Sequence, residues 1–340
     1  MHRRHFLTTT GLATAALSAP VALASGDRQR HDPVRPPRLR PGDTVGLVAP
    51  AGIVYRPSII DEARANLASL GLEAVAAPTL LARDGYFAGT DRQRADAITA
   101  MFADDRVDAV MAMRGGWGAA RALPLVDWDV VRANPKVLCG FSDNTSLLLA
   151  AYARAGLVTF HGPNATSEMA GATGDSFRSV VMDGTAATLR TPATPLSAPT
   201  PITPGRARGR LVGGNLSVLA SLVGTEWMPD LRGHLLFVED IGEGIYRIDR
   251  MLTQLGQAGL LAGLAGFVFG VCPRCDPDSG EVDGFTLGEV VRQHVAPLGV
   301  PAFQGASIGH TSRKLTVPIG AEAEIDADAG TIRLLAPAVR

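Results

Sequence analysis

The chain is organised around one stretch, Gly140-Phe141-Ser142-Asp143-Asn144-Thr145. The mainly apolar residues 136–139 before it predict a buried strand, and the leucine-rich residues 146–152 after it predict a helix. A serine on such a sharp strand-to-helix turn holds its hydroxyl out of the chain, close to free N–H groups that favour developing negative charge. Ser142 is therefore a candidate nucleophile. The alternative is that Ser142 or Asp143 only caps the helix, since the second glycine of G-x-S-x-G is missing.

Outward from this turn, predicted strands and helices alternate along the first half of the chain. The expected strands are residues 44–49, 73–77, 107–113, 137–140 and 158–161, and the expected early helices are residues 58–70 and 91–103. This alternation predicts a parallel sheet that is covered by helices on both faces. Sites in such sheets form at the carboxyl ends of strands. Both Ser142 and the glycine-rich turn Arg114-Gly115-Gly116-Trp117-Gly118 fall there.

The glycine-rich turn has three interpretations. It could cradle a phosphate, although it lacks the Gly-Lys-Ser/Thr ending of a Walker loop and the G-x-G-x-x-G spacing. Its glycines could instead let backbone N–H groups approach a substrate oxygen, as an oxyanion hole requires. It could also be a tight turn that binds nothing.

The composition is that of an ordinary globular protein. Its 340 residues suffice for two domains, and 46% of them are hydrophobic. The formal charge of −1, without any Lys/Arg run, gives no reason to expect a nucleic-acid partner. Five prolines between residues 191 and 204 indicate a stiff linker. We therefore predict an N-terminal α/β domain over 42–185, a Pro-rich linker over 186–208, and a smaller, β-rich mixed α/β domain over 209–340.

The first residues are typical of an export signal. Arg3 and Arg4 form a twin-arginine pattern, an apolar run covers residues 12–24, and Ala22-Leu23-Ala24 offers an A-x-A cleavage site. The run is too short and too weakly apolar for a membrane anchor. We predict a twin-arginine signal peptide over residues 1–24 and a disordered leader over 25–41. The mature protein is expected to be soluble and periplasmic, without stable membrane insertion.

The three cysteines do not form a disulfide framework. Cys139 lies in a predicted strand and is expected to be a small core residue. Cys272 and Cys275 have redox or zinc spacing, but no second pair of matching spacing accompanies them. They are either ordinary cysteines or one local disulfide. No metal site and no cofactor are expected.

Two residues of the second half could complete a site with Ser142. Glu239 follows four apolar residues, so it should emerge at the end of a strand. His310 lies in a Gly-His turn after another short strand. Each alone is more often a structural polar residue. With Ser142 they would form the set in which an imidazole accepts the serine proton and a carboxylate orients the imidazole.

Several motifs, in the same order, resemble the LD-carboxypeptidases of serine peptidase family S66, the muramoyltetrapeptide carboxypeptidases. The resemblance covers about residues 42–335 and includes the glycine-rich turn and the Ser142 stretch. The remaining motifs are Pro41-Gly42-Asp43-Thr44-Val45, Ala49-Pro50-Ala51-Gly52, residues 209–216, Val238-Glu239-Asp240, Tyr246-Arg247-Ile248-Asp249-Arg250-Met251-Leu252, Gly309-His310 and Leu315-Thr316-Val317-Pro318-Ile319-Gly320.

This resemblance implies that Ser142 is the nucleophile, Glu239 the orienting carboxylate and His310 the base. The oxyanion donors would be the backbone N–H groups of Gly116 and Asp143. The resemblance also implies a Rossmann-like N-terminal domain, a β-rich C-terminal domain and often a homodimer. The family commonly has Tyr in place of Trp117 and a Glu-x-Pro run in place of residues 242–245, so substrate contacts could differ here. The export signal is a further departure, because the family's murein-recycling enzymes work in the cytoplasm.

The activity expected from the resemblance is release of the terminal D-alanine from murein tetrapeptides by hydrolysis of the L,D-peptide bond. A free carboxylate calls for a cation, and Arg114 is the candidate beside the glycine-rich turn. Trp117 is expected either to form an apolar wall against the peptide or to pack in the core. One alternative is an S66-type amidase that acts on another peptide conjugate, such as a microcin-like peptide nucleotide. The other is an exported two-domain binding protein that performs no chemistry.

Overall fold

The computed structural model describes residues 33–192, 198–275 and 284–340. The predicted signal peptide over residues 1–24 lies outside the described residues. Within the described residues, no helix is both long enough and apolar enough to cross a bilayer.

Two sheets and nine α-helices make up the described part of the chain. The strands of the first half are β1 Thr44–Val48, β2 Glu73–Ala76, β3 Ala109–Ala112, β4 Val137–Gly140 and β5 Thr159–His161. Its helices are α1 Ser58–Ala68, α2 Asp91–Ala103, α3 Ala119–Ala122, α4 Trp128–Ala133, α5 Thr145–Ala150 and α6 Gly171–Phe177. Helices α5 and α6 each continue into a π-helical turn, Ala151–Ala155 and Arg178–Met182 respectively.

The second half contains more strands. They are β6 Thr188–Arg190, β7 Thr200–Thr203, β8 Arg206–Asn215, β9 His234–Glu239, β10 Gly266–Gly270, β11 Ala302–Ala306, β12 Val317–Ile319, β13 Glu322–Asp326 and β14 Thr331–Leu334. The helices are α7 Leu216–Ser221, α8 Ile245–Gln257 and α9 Leu287–Val295.

The first sheet confirms the predicted parallel α/β arrangement. Its strand order is β12-β5-β4-β3-β1-β2, and the five strands of the first half are parallel. Strands β3 and β4 are buried along their whole length, which explains their short, continuously apolar sequences. Strand β12 comes from the second half of the chain and pairs antiparallel with β5, with Val317 opposite His161.

The second sheet has the order β6-β14-β13-β8-β9-β10-β11-β7. Its central strands β8 to β11 are parallel, whereas β13, β14, β6 and β7 pair antiparallel at its edges. The mixed, β-rich character predicted for the second half is therefore confirmed. Helix α8 buries Ile245, Ile248, Leu252 and Leu255, which share one face at helical spacing.

Two segments differ from the sequence-based expectation. Residues 33–41, expected within a disordered leader, contact the rest of the fold. Leu39 is buried, and its N–H donates to the Val181 carbonyl at 2.9 Å, because an apolar side chain here finds a site on α6's π-helical turn. The stretch 186–208, expected as a stiff linker, contains β6 and β7, each of which pairs at an edge of the second sheet.

The positions of the three cysteines agree with the sequence analysis. Cys139 is a buried free thiol in β4, and burial raises its pKa. Cys272 and Cys275 form a local disulfide just after β10, which is one of the two alternatives that the spacing left open.

Candidate active site

Ser142 lies on a sharp turn between β4 and α5, as the sequence predicts. Its φ is +66°, the left-handed region that a residue with a side chain seldom adopts. Such strain marks a position whose geometry is imposed by its surroundings, as on the nucleophile turn of many hydrolases. The Ser142 hydroxyl makes no hydrogen bond to any residue in the described part of the chain, and it caps no helix. The residue is partly exposed, so its hydroxyl is open to a substrate.

The residues that flank Ser142 hold this turn in place. The Asp143 carboxylate accepts a hydrogen bond from the Ala119 N–H at 2.7 Å. Asn144 donates to the Arg114 carbonyl at 3.2 Å and to the Phe141 carbonyl at 3.0 Å. Burial raises the pKa of Asp143. The side chain of Asp143 thus anchors the turn to α3 and the glycine-rich loop and does not cap α5.

The glycine-rich turn runs directly beside the serine. A Cβ atom at Gly115 would lie 2.8 Å from Ser142 Oγ, so only glycine fits there. Gly116 has a φ of +126° and lies against the backbone of Gly52. The N–H groups of Gly116 and Asp143 donate to no acceptor among the described residues. They are therefore available to an oxyanion, as the oxyanion-hole interpretation of the turn requires.

Glu239 and His310 meet as the sequence hypothesis requires. Glu239 is the last residue of β9 and is fully buried. Its Oε2 atom accepts from His310 Nδ1 at 2.7 Å and from the His310 backbone N–H at 3.3 Å. The turn that carries His310 approaches this carboxylate through Gly309, where a Cβ would lie only 2.1 Å from Glu239 Cδ. Burial raises the pKa of Glu239, and the hydrogen bond from His310 opposes that rise.

Phe141 connects His310 to the turn that carries Ser142. The rings of Phe141 and His310 pack edge to face with centroids 4.9 Å apart, and Phe141 is the residue before Ser142. Because Nδ1 of His310 is occupied by Glu239, Nε2 is the ring nitrogen that remains for another partner. The His310–Glu239 pair therefore packs against the residue that precedes Ser142.

A polar cluster joins the strand end that carries Glu239 to the helix that follows Ser142. The Asn215 backbone N–H donates to Thr145 Oγ1 at 2.9 Å, and its side chain donates to Asp240 at 3.0 Å. Asn215 pairs with Glu239 in the register of β8 and β9. These bonds fix the carboxylate strand against α5.

His161 is a component that the sequence analysis did not single out. It ends β5 and is fully buried, and neither ring nitrogen has a hydrogen-bond partner among the described residues. Its Nε2 atom lies 3.6 Å from Glu239 Oε1, which is likewise without a hydrogen bond. Burial lowers the pKa of His161 to about 3, so its ring is neutral at physiological pH. Its place at the carboxyl end of a parallel strand is the signal that could have identified it.

Lys314 was also missed, because it stands in a run of ordinary polar loop residues. It is only 7% exposed, and its Nζ atom lies 5.1 Å from the centroid of the Phe141 ring. Burial lowers the pKa of this ammonium, and the nearby Glu239 charge opposes that effect.

Arg114 and Trp117 belong to the glycine-rich turn that runs beside Ser142. Arg114 donates to the Ile53 carbonyl at 3.2 Å, and its guanidinium stacks 4.7 Å from the Tyr55 ring centroid. Trp117 is 56% exposed and packs against Tyr86 and Phe87. The core-packing alternative for Trp117 is therefore wrong, since the ring faces solvent beside the site.

Chemically, this arrangement is suited to acyl transfer. It combines an accessible hydroxyl on a strained turn, an imidazole oriented by a buried carboxylate, and two free N–H donors next to the hydroxyl. Among the described residues, no group of three or more His, Cys, Asp or Glu side chains is arranged to hold a metal ion.

Comparison with known proteins agrees with the motifs. Residues 45–162 match the LD-carboxypeptidase N-terminal domain model, and residues 208–325 match the LD-carboxypeptidase C-terminal domain model. A Bacillus subtilis protein named as a probable murein peptide carboxypeptidase is 39% identical over 297 residues, covering 86% of this chain and 91% of the relative. The murein tetrapeptide carboxypeptidase of Pseudomonas aeruginosa is 30% identical over 296 residues, covering 83% of this chain and 92% of the relative.

The solved structure of the microcin C7 self-immunity protein superposes with a TM-score of 0.82 at 25% identity, covering 91% of this chain and all of that protein. Together the two matched ranges include Ser142, His161, Glu239, His310 and Lys314. The chain therefore belongs to the LD-carboxypeptidase family, serine peptidase family S66, and is a serine-type carboxypeptidase.

Proposed function

We propose that this protein hydrolyses the L,D-peptide bond that holds the terminal D-alanine of murein tetrapeptides, with Ser142, His310 and Glu239 as its catalytic triad. The observation that carries the proposal is the 2.7 Å hydrogen bond from His310 to buried Glu239. The ring of the same histidine packs on Phe141, the residue that precedes Ser142. The murein substrate is supported by the names of the Bacillus and Pseudomonas relatives.

In the proposed first step, Ser142 Oγ attacks the carbonyl carbon of the scissile amide while its proton passes to His310 Nε2. Glu239 holds the imidazole in the tautomer with the proton on Nδ1 and stabilises the imidazolium that forms. The N–H groups of Gly116 and Asp143 bind the oxyanion. His310 then gives its proton to the amide nitrogen, the C–N bond breaks and D-alanine departs.

The second step removes the acyl group. A water molecule attacks the ester carbonyl while His310 takes its proton, and the tetrahedral adduct collapses with return of the proton to Ser142 Oγ. The step releases the tripeptide and regenerates the hydroxyl of Ser142. In this scheme the proton moves between Ser142 Oγ, His310 Nε2, the leaving nitrogen and water, and Glu239 takes part in none of these transfers.

For substrate contacts, we propose that Arg114 and Trp117 bind the retained part of the peptide. Both are members of the glycine-rich turn, and each contacts an exposed tyrosine, Tyr55 for Arg114 and Tyr86 for Trp117. The site should favour a terminal D-alanine and reject peptides that continue beyond it.

A second candidate substrate is a peptide nucleotide. The specific observation is the TM-score of 0.82 to the microcin C7 self-immunity protein. The same Ser142 chemistry would then cleave an amide in a different conjugate. A binding protein without chemistry is the third candidate, and steady turnover excludes it.

The test is mass spectrometry of defined peptides after incubation with the purified protein. We expect conversion of tetrapeptide to tripeptide, with pentapeptide and all-L tetrapeptide cut at least about tenfold more slowly. Equal rates on tetrapeptide and pentapeptide would contradict the carboxypeptidase proposal. Faster cleavage of a peptide nucleotide would transfer the assignment to the second candidate.

We further propose export by the twin-arginine route and function in the periplasm as a homodimer. The support for export is the Arg3-Arg4 pattern and the apolar run that follows it. Dimerisation is inferred from the family resemblance, and sedimentation equilibrium of the mature protein tests it.

A further inference from the structure

The position of Lys314 has no explanation in the triad. Its Nζ atom makes no hydrogen bond or ion pair with any residue that the structure describes, although the side chain is 93% removed from solvent. The residue is largely removed from solvent, so its ammonium is poorly hydrated and would be stabilised by an anionic ligand. The ammonium faces the Phe141 ring, and the nearby carboxylate of Glu239 already accepts a hydrogen bond from His310 at its Oε2 atom.

The chemistry of the proposed reaction fixes where a carboxylate of the substrate must lie. His310 has to protonate the leaving nitrogen, so the departing residue is next to His310. In an amino acid, the carboxyl carbon is only about 2.5 Å from the nitrogen. A cation that binds the free carboxylate therefore belongs on the histidine side of Ser142, and not on the side of the oxyanion donors.

Lys314 satisfies this requirement. It follows His310 by four residues, and both side chains contact the same Phe141 ring, His310 at a centroid distance of 4.9 Å and Lys314 Nζ at 5.1 Å. Arg114 contacts Ile53 and Tyr55 instead of Phe141, and its guanidinium already has a carbonyl partner and an aromatic partner.

We propose that Lys314 binds the free α-carboxylate of the departing C-terminal residue and so makes the enzyme an exopeptidase. This inference rests on the proposed carboxypeptidase function. It replaces Arg114 as the candidate for the carboxylate and leaves Arg114 to the retained part of the peptide. A bound carboxylate would supply the hydrogen-bonded anion that the Lys314 ammonium lacks among the described residues.

The experiment compares two peptides that differ only in this charge, the tetrapeptide acid and its C-terminal amide. Wild-type protein should cleave the acid with a kcat/KM at least about tenfold above that of the amide, because a bond to a charged partner is lost. Lys314→Met should abolish this preference by slowing the acid alone, and Lys314→Arg should restore part of it. Arg313→Met, which removes the neighbouring exposed cation, is the matched control and should keep the full preference.

Several results would overturn the assignment. If Lys314 only balances the charge of Glu239, Lys314→Met will slow the acid and the amide equally. If Arg114→Met abolishes the preference while Lys314→Met retains it, the carboxylate binds at Arg114. Should Lys314→Met fold poorly, the same comparison is made with Lys314→Gln, and by calorimetric binding of both peptides to Ser142→Ala, where acid and amide must differ by about tenfold.

The two levels of the proposal fail differently. If wild-type protein does not distinguish acid from amide, the carboxypeptidase function itself is wrong. If wild type distinguishes them and Lys314→Met does so equally well, only the role of Lys314 is wrong.

Discussion

At the scale of single residues, Ser142 combines reactivity with backbone strain. Its φ of +66° costs a residue with a Cβ about 1 kcal/mol, which glycine would not incur. We predict that Ser142→Ala and Ser142→Gly both lose turnover, and that Ser142→Gly has a free energy of unfolding about 1 kcal/mol above that of Ser142→Ala. Urea unfolding measures the difference. Equal stability of the two variants would show that the turn is not strained.

Glu239 illustrates a conflict between stability and activity. Burial raises its folded-state pKa above the value in the unfolded chain, so ionisation of this residue opposes folding. A glutamine could accept from His310 and donate to the unpartnered Nε2 of His161. We predict that Glu239→Gln lowers kcat about a thousandfold or more and yet raises the free energy of unfolding at neutral pH.

The sign of the pH dependence follows from the same shift. Below about pH 4, the usual pKa of glutamate, the carboxyl is neutral in both the folded and the unfolded state. The stability advantage of Glu239→Gln should therefore be largest above the raised folded pKa and shrink as the pH falls towards 4. Denaturant unfolding at several pH values measures it. An advantage that grows with acidity would mean that the pKa of Glu239 is lowered by folding instead.

Residue patterns predicted the site only in part. Ser142, Glu239 and His310 each follow a short apolar strand, so their exposure at a sheet edge could be inferred. The left-handed φ of Ser142 could not be inferred in this way. It depends on the hydrogen bonds of Asn144, on the Asp143–Ala119 bond and on the glycine-rich turn together. His161 and Lys314 were missed because their roles arise from burial next to Glu239 and Phe141, contacts that join distant parts of the chain.

At the scale of elements, the turn between β11 and β12 positions the histidine. Gly309 has a φ of +75°, and a Cβ there would collide with the Glu239 carboxylate. Gly299 has a similar φ of +67° but nothing within 4 Å of such a Cβ. We predict that Gly309→Ala and Gly299→Ala each cost about 1 kcal/mol of backbone strain, and that only Gly309→Ala loses most activity.

Thermal unfolding and kcat/KM of the two alanine variants separate these effects. Full activity in Gly309→Ala would show that the close approach of this turn to Glu239 is dispensable. Loss of activity in Gly299→Ala at a temperature where it is folded would show that strain alone, wherever it occurs, disables the site.

Helices and strands were predicted correctly from the sequence where local residue patterns determine the structure of a segment. Strands β1 to β4 and helices α1 and α2 follow from alternating apolar runs and turn residues, and α2 has the predicted bounds, whereas the short helices α3 and α4 were not predicted. The edge strands could not be found in this way. Pro-rich residues 200–203 form β7 only because β11 offers an open edge, and β12 joins the first sheet from far along the chain.

At the scale of the whole molecule, the two sheets do not divide the sequence into two separate halves. Strand β12 of the second half pairs with β5, and one hydrophobic core includes residues of both sheets. We predict a single calorimetric unfolding transition for the mature protein, with equal calorimetric and van 't Hoff enthalpies. Two resolved transitions would support the independent domains, residues 42–185 and 209–340, that composition suggests.

Export is tested on the intact precursor. Replacing both Arg3 and Arg4 by lysine should trap the protein in the cytoplasm, because the twin arginines are read by a receptor and not only as charge. Replacing Arg28 and Arg30 by lysine, beyond the predicted cleavage site, is the control. Fractionation followed by immunoblotting measures the distribution, and normal export of the Arg3/Arg4 variant would refute this route.

The central claim is that Ser142 and His310 act as one catalytic unit, and a double-mutant comparison of D-alanine release from tetrapeptide tests it most directly. We predict that Ser142→Ala and His310→Ala each lower kcat by about a thousandfold or more, and that the double variant is no slower than either. The triad would be contradicted if the loss of kcat in the double variant were the product of the losses in the two single variants. So would a Ser142→Ala protein that keeps about a tenth or more of the wild-type rate.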